Sequence, residues 1–193
     1  MHLNRMNRKF LFILMAVAAY RNSAAQTNGS SGIWKAGVGY TYNYPGMTGY
    51  SFAGEYIIPL TEQFEGSIGA KYIDLNGHPR TPSVGEYVRA KTLDFNAYWL
   101  PLRSDAQLFR IGLGYSFSFY NTKAAYPLTI QTDGKQTTQW PTLQEKGTTT
   151  GINLIAEYEY IIPNSCVSIG LRAALYKASD RTYFIGPLVG YRW

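Results

Sequence analysis

The sequence predicts an all-β chain, an eight-stranded antiparallel up-and-down transmembrane β-barrel with a cleaved N-terminal signal peptide. Three observations lead there. Apolar residues alternate with small or polar ones, period two, through eight separate runs. Aromatic residues make up 16% of the chain, 17 of them tyrosine, and they gather toward the ends of those runs. No segment after residue 25 approaches the roughly 18–20 consecutive apolar residues of a membrane helix. One apolar, aromatic-tipped face and one small or polar face is what a lipid-facing barrel strand requires.

The closing run, 183–193, shows the pattern most plainly. Tyr183, Ile185, Pro187, Val189, Tyr191 and Trp193 share one face, while Phe184, Gly186, Leu188, Gly190 and Arg192 share the other. A final strand must pair with something, and in a closed barrel its partner is the first strand.

Residues 1–25 carry the marks of a signal peptide. Arg5, Arg8 and Lys9 make a positive region, residues 10–20 (FLFILMAVAAY) an apolar one, and Ser23, Ala24 and Ala25 supply small residues for cleavage. The apolar stretch is too short to cross a bilayer as a helix. The expected organisation is a signal peptide over 1–25, a leader over 26–32 and one barrel domain over 33–193. Without Arg5, Arg8, Lys9 and Arg21, the 18 basic residues fall to 14 against 12 acidic ones. The apparent basicity therefore sits mostly in the signal, and nothing calls for nucleic acid. A single cysteine, Cys166, excludes an internal disulfide and lies too far from the cleavage site to be a lipidated first residue.

The runs follow in order. In the first, 33–44, Trp34, Ala36, Val38, Tyr40, Tyr42 and Tyr44 face outward, with Lys35, Gly37, Gly39, Thr41 and Asn43 inward. A turn at 45–48 leads to the second, 49–58, with Tyr50, Phe52, Gly54, Tyr56 and Ile58 out and Ser51, Ala53, Glu55 and Ile57 in. Pro59 is expected to end it, because proline cannot donate to the ladder. The third, 64–75, turns Ile68, Ala70 and Tyr72 out and Glu65, Ser67, Gly69 and Lys71 in, before a Gly- and Pro-rich loop over 76–86. The fourth closes with Leu93, Phe95, Ala97 and Trp99 out, and Thr92, Asp94, Asn96 and Tyr98 in; Pro101 is expected to end that strand. In the fifth, Phe109, Ile111, Leu113, Tyr115, Phe117 and Phe119 alternate with Arg110, Gly112, Gly114, Ser116 and Ser118. A long polar insertion, 121–148, precedes the sixth, where Ile152, Leu154, Ala156, Tyr158 and Tyr160 face out and Asn153, Glu157 and Glu159 in. The seventh, 166–176, puts Val167, Ile169, Leu171, Ala173 and Leu175 out and Ser168, Gly170, Arg172 and Ala174 in.

Internal echoes support eight strands. The second, fourth and sixth runs end alike, at Pro59, Pro101 and Pro163, each before a tight turn. The connections at the opposite end are longer on average, and two are long. Strands of about eleven residues at about 3.3 Å each, tilted near 40–45°, span an apolar band of about 25 Å. Trp34, Tyr56, Trp99, Tyr158, Tyr160, Tyr191 and Trp193 would form one aromatic girdle, and Tyr42, Tyr44, Tyr72, Phe117 and Phe119 the other.

On this strand pattern and its aromatic terminal strand, 185–193, the chain resembles the small eight-stranded outer-membrane barrels of the OmpA/OmpX type. The resemblance covers the whole region after the signal. It implies a bacterial outer-membrane location with both termini periplasmic, and contact with outer-membrane lipid. It also implies insertion by the barrel-assembly machinery, with Tyr183, Ile185, Val189, Tyr191 and Trp193 as the assembly signal. No catalytic motif comes with it, and no cofactor. A soluble barrel with its apolar face inward is the competing fold. It would have to crowd Tyr, Trp and Phe from every strand into a narrow lumen while showing Gly and Ser to water.

Parity places five bases in the lumen, Lys35, Lys71, Arg110, Arg172 and Arg192, and five acids, Glu55, Glu65, Asp94, Glu157 and Glu159. An eight-stranded lumen holds little beyond side chains, so these charges are expected to pair. Inward glycines such as Gly69, Gly112, Gly114, Gly170 and Gly190 leave space for the long side chains opposite. The network reads either as a structural plug or as the lining of a narrow pore. Outside the barrel, Asp133 and Gly134 mark a hairpin between two extended polar segments within 129–140, expected to rise above the membrane. Such a hairpin could bind a partner by strand addition. His78, Ser83 and Glu86, close together in one loop, are the only grouping with a catalytic flavour, and the turn-rich sequence around them favours an ordinary loop. No metal cluster or phosphate loop appears in the sequence; Gly37 with Gly39, and Gly112 with Gly114, are strand glycines. The expected function is non-enzymatic: an envelope-structural role or surface binding through 121–148. A passive pore, or an accessory subunit of a larger envelope complex, stands as the alternative, with a lipid A-modifying enzyme ranked behind both.

Overall fold

The structure, a computed structural model, describes residues 32–43, 46–77, 85–132, 135–178 and 180–192. The expected signal peptide and most of the leader lie outside the described residues. So do Tyr44, Pro45, His78, Ser83, Asp133, Gly134 and Trp193.

Among the described residues ten strands form: β1 (Ile33–Asn43), β2 (Met47–Pro59), β3 (Phe64–Asn76), β4 (Tyr87–Arg103), β5 (Gln107–Ala125), β6 (Leu128–Thr132), β7 (Lys135–Gln139), β8 (Thr142–Ile161), β9 (Val167–Lys177) and β10 (Arg181–Arg192). Eight of them close an antiparallel barrel in the order β1-β2-β3-β4-β5-β8-β9-β10, with β10 returning to pair β1. β6 and β7 form a separate two-stranded hairpin. The alternation read from the sequence is the alternation of the wall. Leu113 (60% exposed), Phe52, Ile185 and Val189 stand outward, whereas their neighbours along each strand are buried or half-buried.

The outward apolar surface forms a continuous belt, and its aromatic residues meet across strands. Trp34 lies beside Tyr56 with ring centroids 4.9 Å apart, and Tyr42 beside Tyr183 at 6.2 Å. Along the single strand β5, Phe117 and Phe119 meet edge to face at 5.0 Å. Rings at both ends of an apolar belt suit the two interfaces of a bilayer.

The seam between first and last strands depends on small residues. β1 and β10 pair from Ile33↔Arg192 to Gly37↔Leu188 and again from Tyr40↔Ile185, skipping the stretch opposite Pro187. Proline has no N–H to give to that ladder, while its pairing toward β9 is kept. The backbones close up there: a Cβ on Gly186 would sit 2.9 Å from the Val38 carbonyl carbon.

Three expectations need correction. Pro101 does not end its strand. β4 continues to Arg103, and the register against β5 shifts between Trp99 and Leu102, so the missing donor is absorbed by an irregularity rather than a stop. The strands are not uniformly about eleven residues: β4, β5 and β8 have 17, 19 and 20. The polar stretch 121–148 is accordingly not all insertion. β5 runs to Ala125 and β8 starts at Thr142, paired without interruption from Ala125↔Thr142 to Gln107↔Tyr160. A backbone ladder needs no apolar face once it has left the membrane, which is why periodicity did not mark it.

Candidate functional site

Two regions concentrate polar chemistry, the lumen and the sheet that β5 and β8 carry beyond the belt. The lumen is stacked in layers. At the end of the tight turns, Ile33, Ile57, Leu100 and Leu108 are buried and apolar beside Tyr98, and the same cluster continues through Ile155 to Phe184 further up the barrel. Room for the Tyr98 ring comes from Gly112, where a Cβ would fall 2.7 Å from a ring carbon.

Next to it sits the charged layer. Arg110, 0% exposed, donates from Nε to Glu65 Oε2 at 2.6 Å and from Nη1 to Glu157 Oε1 at 3.0 Å and to Glu159. Lys35 Nζ donates to both Glu157 and Glu159. Arg172 donates from Nε to Glu157 Oε2 at 2.8 Å and from Nη2 to Glu55. Arg192 Nη2 reaches Glu159 Oε1 at 3.1 Å. Glu55 also accepts from the Tyr98 hydroxyl at 2.7 Å and from Asn96 Nδ2 at 3.1 Å. One step further from the turns, Lys71 Nζ donates to Asp94 Oδ2 at 3.1 Å and lies 3.1 Å from the centre of the Tyr176 ring. Ser116 donates to Asp94 Oδ1 at 2.7 Å.

All ten charged residues that parity put in the lumen thus stand in ion pairs with one another. They come from β1, β2, β3, β4, β5, β8, β9 and β10, so every strand of the ring contributes. Glu157 and Glu159 each receive three bases. Five positive and five negative groups leave the layer neutral, which is the condition for holding ions away from water.

Sequence reasoning stopped short of the aliphatic positions in the outer lumen on β3 and β4. Ile73 and Leu75 continue the inward parity of Lys71, yet they are aliphatic, and with Ala90 they form a second buried cluster flanked by Val88 and Tyr120. The signal lay in the parity itself, carried two positions further than the charges.

The second region is the protruding sheet. Tyr120 on β5 donates to Glu145 on β8 at 2.7 Å, a bond that raises the phenol above its ordinary value. Gln144 Nε2 donates to Tyr87 Oη and Asn121 Oδ1, each at 3.2 Å. Glu86, one of the three residues with a catalytic flavour, is buried and accepts the Ala125 N–H at 2.8 Å, which ties the β3–β4 connection to the end of β5. β4 flanks β5 as far as Tyr87↔Lys123, but β9 flanks β8 only from Ile152↔Lys177 inward. Among the described residues, positions 142–150 of β8 therefore have β5 on one side and no strand on the other.

No protein-family model matches the sequence, and no curated protein matches it. Solved structures do. Neisserial surface protein A (NspA) superimposes with a TM-score of 0.57 at 10% identity, over 86% of this chain and 98% of that one. The N-terminal β-barrel domain of Pseudomonas aeruginosa OprF gives 0.51 at 12%, over 86% and 100%. Ail, the attachment invasion locus protein of Yersinia pestis, gives 0.50 at 11%, over 85% and 99%. Identities this low speak to architecture alone. The chain has the fold of the small eight-stranded outer-membrane β-barrels.

Proposed function

We propose that this chain is a non-enzymatic, non-conducting protein of a bacterial outer membrane, with both termini periplasmic, that works through the sheet it raises above the lipid. The occupant of that sheet is an extended polypeptide strand. The observation that carries the reading is the open edge of β8 over 142–150, where the backbone N–H and C=O groups that point away from β5 have no strand partner among the described residues. Strand addition satisfies such an edge with main-chain bonds, and side chains at alternate positions give selectivity. The ion-paired lumen supports the non-conducting half. Insertion would be directed by Tyr183, Ile185, Val189, Tyr191 and Trp193 through the barrel-assembly machinery.

Ail has been solved in complex with a heparin analogue, sucrose octasulfate, so a ligand on such a barrel has precedent. A polyanion suits this chain less well. Between 121 and 148 it has Lys123, Lys135 and Lys146 against Asp133 and Glu145, a nearly balanced set.

Peptide selection on the refolded barrel tests the strand reading. Enriched peptides should bind as strands and lose binding when backbone N–H groups are methylated at every second position. Enrichment indifferent to methylation, or none, would overturn it. Conductance in a planar bilayer tests the lumen: folded protein should be silent, and discrete reproducible channels would restore the pore reading.

A further inference from the structure

The outer part of the lumen is not filled. Beyond Lys71 it opens into a cavity of about 310 Å³. Lys71, Ser116, Asn153 and Tyr176 line its inner end, where the charged network closes the barrel. The β3–β4 wall is apolar, built from Ile73, Leu75, Val88 and Ala90. Across from it stand hydroxyl-bearing residues, Ser118, Thr149 and Thr182 among them. A concave space with one apolar wall and a few convergent polar groups is the usual form of a small-molecule site.

Asn43 gives the cavity a direction. Its side chain lines the cavity, is only 6% exposed, and its Oδ1 has no hydrogen-bond partner among the described residues. A buried acceptor without a donor is costly unless a bound molecule supplies one. The charges at the inner end are already committed, while Lys177 and Asp180 are exposed members of the lining. Lys71 is held by Asp94 and covered by the Tyr176 ring, and Asp94 takes the Ser116 hydroxyl as well. A charged guest would find no free counter-charge at the inner end.

We propose that this cavity binds a small uncharged amphipathic molecule entering from the loop end. Its apolar body lies against Ile73, Leu75, Val88 and Ala90, and a hydroxyl or amide N–H donates to Asn43 Oδ1. The site is independent of strand docking at β8, because it faces the lumen and not the sheet edge.

The test uses the full barrel in lipid nanodiscs with 1-naphthol, neutral at pH 7, as the probe and 1-naphthalenesulfonate as its charged comparator. Calorimetric titration should show saturable one-site binding of naphthol above linear partition into lipid, and no saturable binding of the sulfonate. Asn43→Leu should weaken naphthol binding by about tenfold, the worth of one hydrogen bond to a buried group. Ala90→Trp should abolish it by filling the cavity, and Ser118→Phe offers the same block from the facing wall should the first variant not refold. Purely linear partition by the wild type, or saturable binding unchanged in the filled variants, would overturn the proposal. Peptide capture at the β8 edge should survive Ala90→Trp, which separates this proposal from the strand reading.

Discussion

The inner half of the lumen is packed with ionised groups, each held by partners on other strands. The outer half is lined by aliphatic side chains and hydroxyls around open space. One rule, every second residue inward, governs both. What differs is the composition of those inward positions. Near Glu157 they are long and charged, so that side chains reach across the barrel axis and meet. From Lys71 outward they become Ile73, Leu75 and Ala90 on one side and short hydroxyls on the other, which do not span the lumen. A barrel of fixed strand number can thus be solid in one half and hollow in the other, according to side-chain length alone.

Breaking the inner half should cost most. Glu157→Ala leaves Lys35, Arg110 and Arg172 short of a shared carboxylate, and loss of one partner from a buried ion network costs about 3–5 kcal/mol. Urea unfolding of the refolded barrel, followed by the gel-mobility difference between heated and unheated samples, would measure it. A loss under about 1 kcal/mol would mean that water enters this layer freely.

The boundary between the halves sharpens the comparison. Lys71→Met or Asp94→Leu alone should destabilise by about 1–3 kcal/mol, since each strands one charge. The double variant should recover most of that loss, because an apolar pair at the lower edge of an apolar cavity needs no partner. A double-mutant cycle with no coupling would show that Lys71 is held by Tyr176 rather than by Asp94. The smallest effect belongs outside the lumen. Arg89 meets Asp74 at 3.5 Å with half of its side chain exposed, and Arg89→Ala should cost under about 1 kcal/mol in the same unfolding assay.

Much of this was legible in the chain. The outward set from Trp34 to Tyr191 and the inward set from Lys35 to Arg192 follow from counting by twos, because a strand offers only two faces. What escaped was whatever the period does not encode. Pro101 reads as a stop, yet a register shift lets β4 pass it. The residues at 121–125 and 142–148 read as insertion, since they keep the ladder without an apolar–polar alternation in their sequence. The cavity escaped because emptiness is a property of opposing walls.

The sequence by itself determined the eight spanning strands, which residues face lipid, and that five bases and five acids share the lumen, all consequences of local geometry repeated along the chain. Only the tertiary structure decided that Glu157 and Glu159 are the hubs of the network and, among the described residues, that β8 outruns β9 to leave an edge open and that Asn43 lines a cavity with its oxygen unpaired. Those depend on stagger between strands far apart in sequence and on reach across the barrel axis, distances that exist only once the ring has closed.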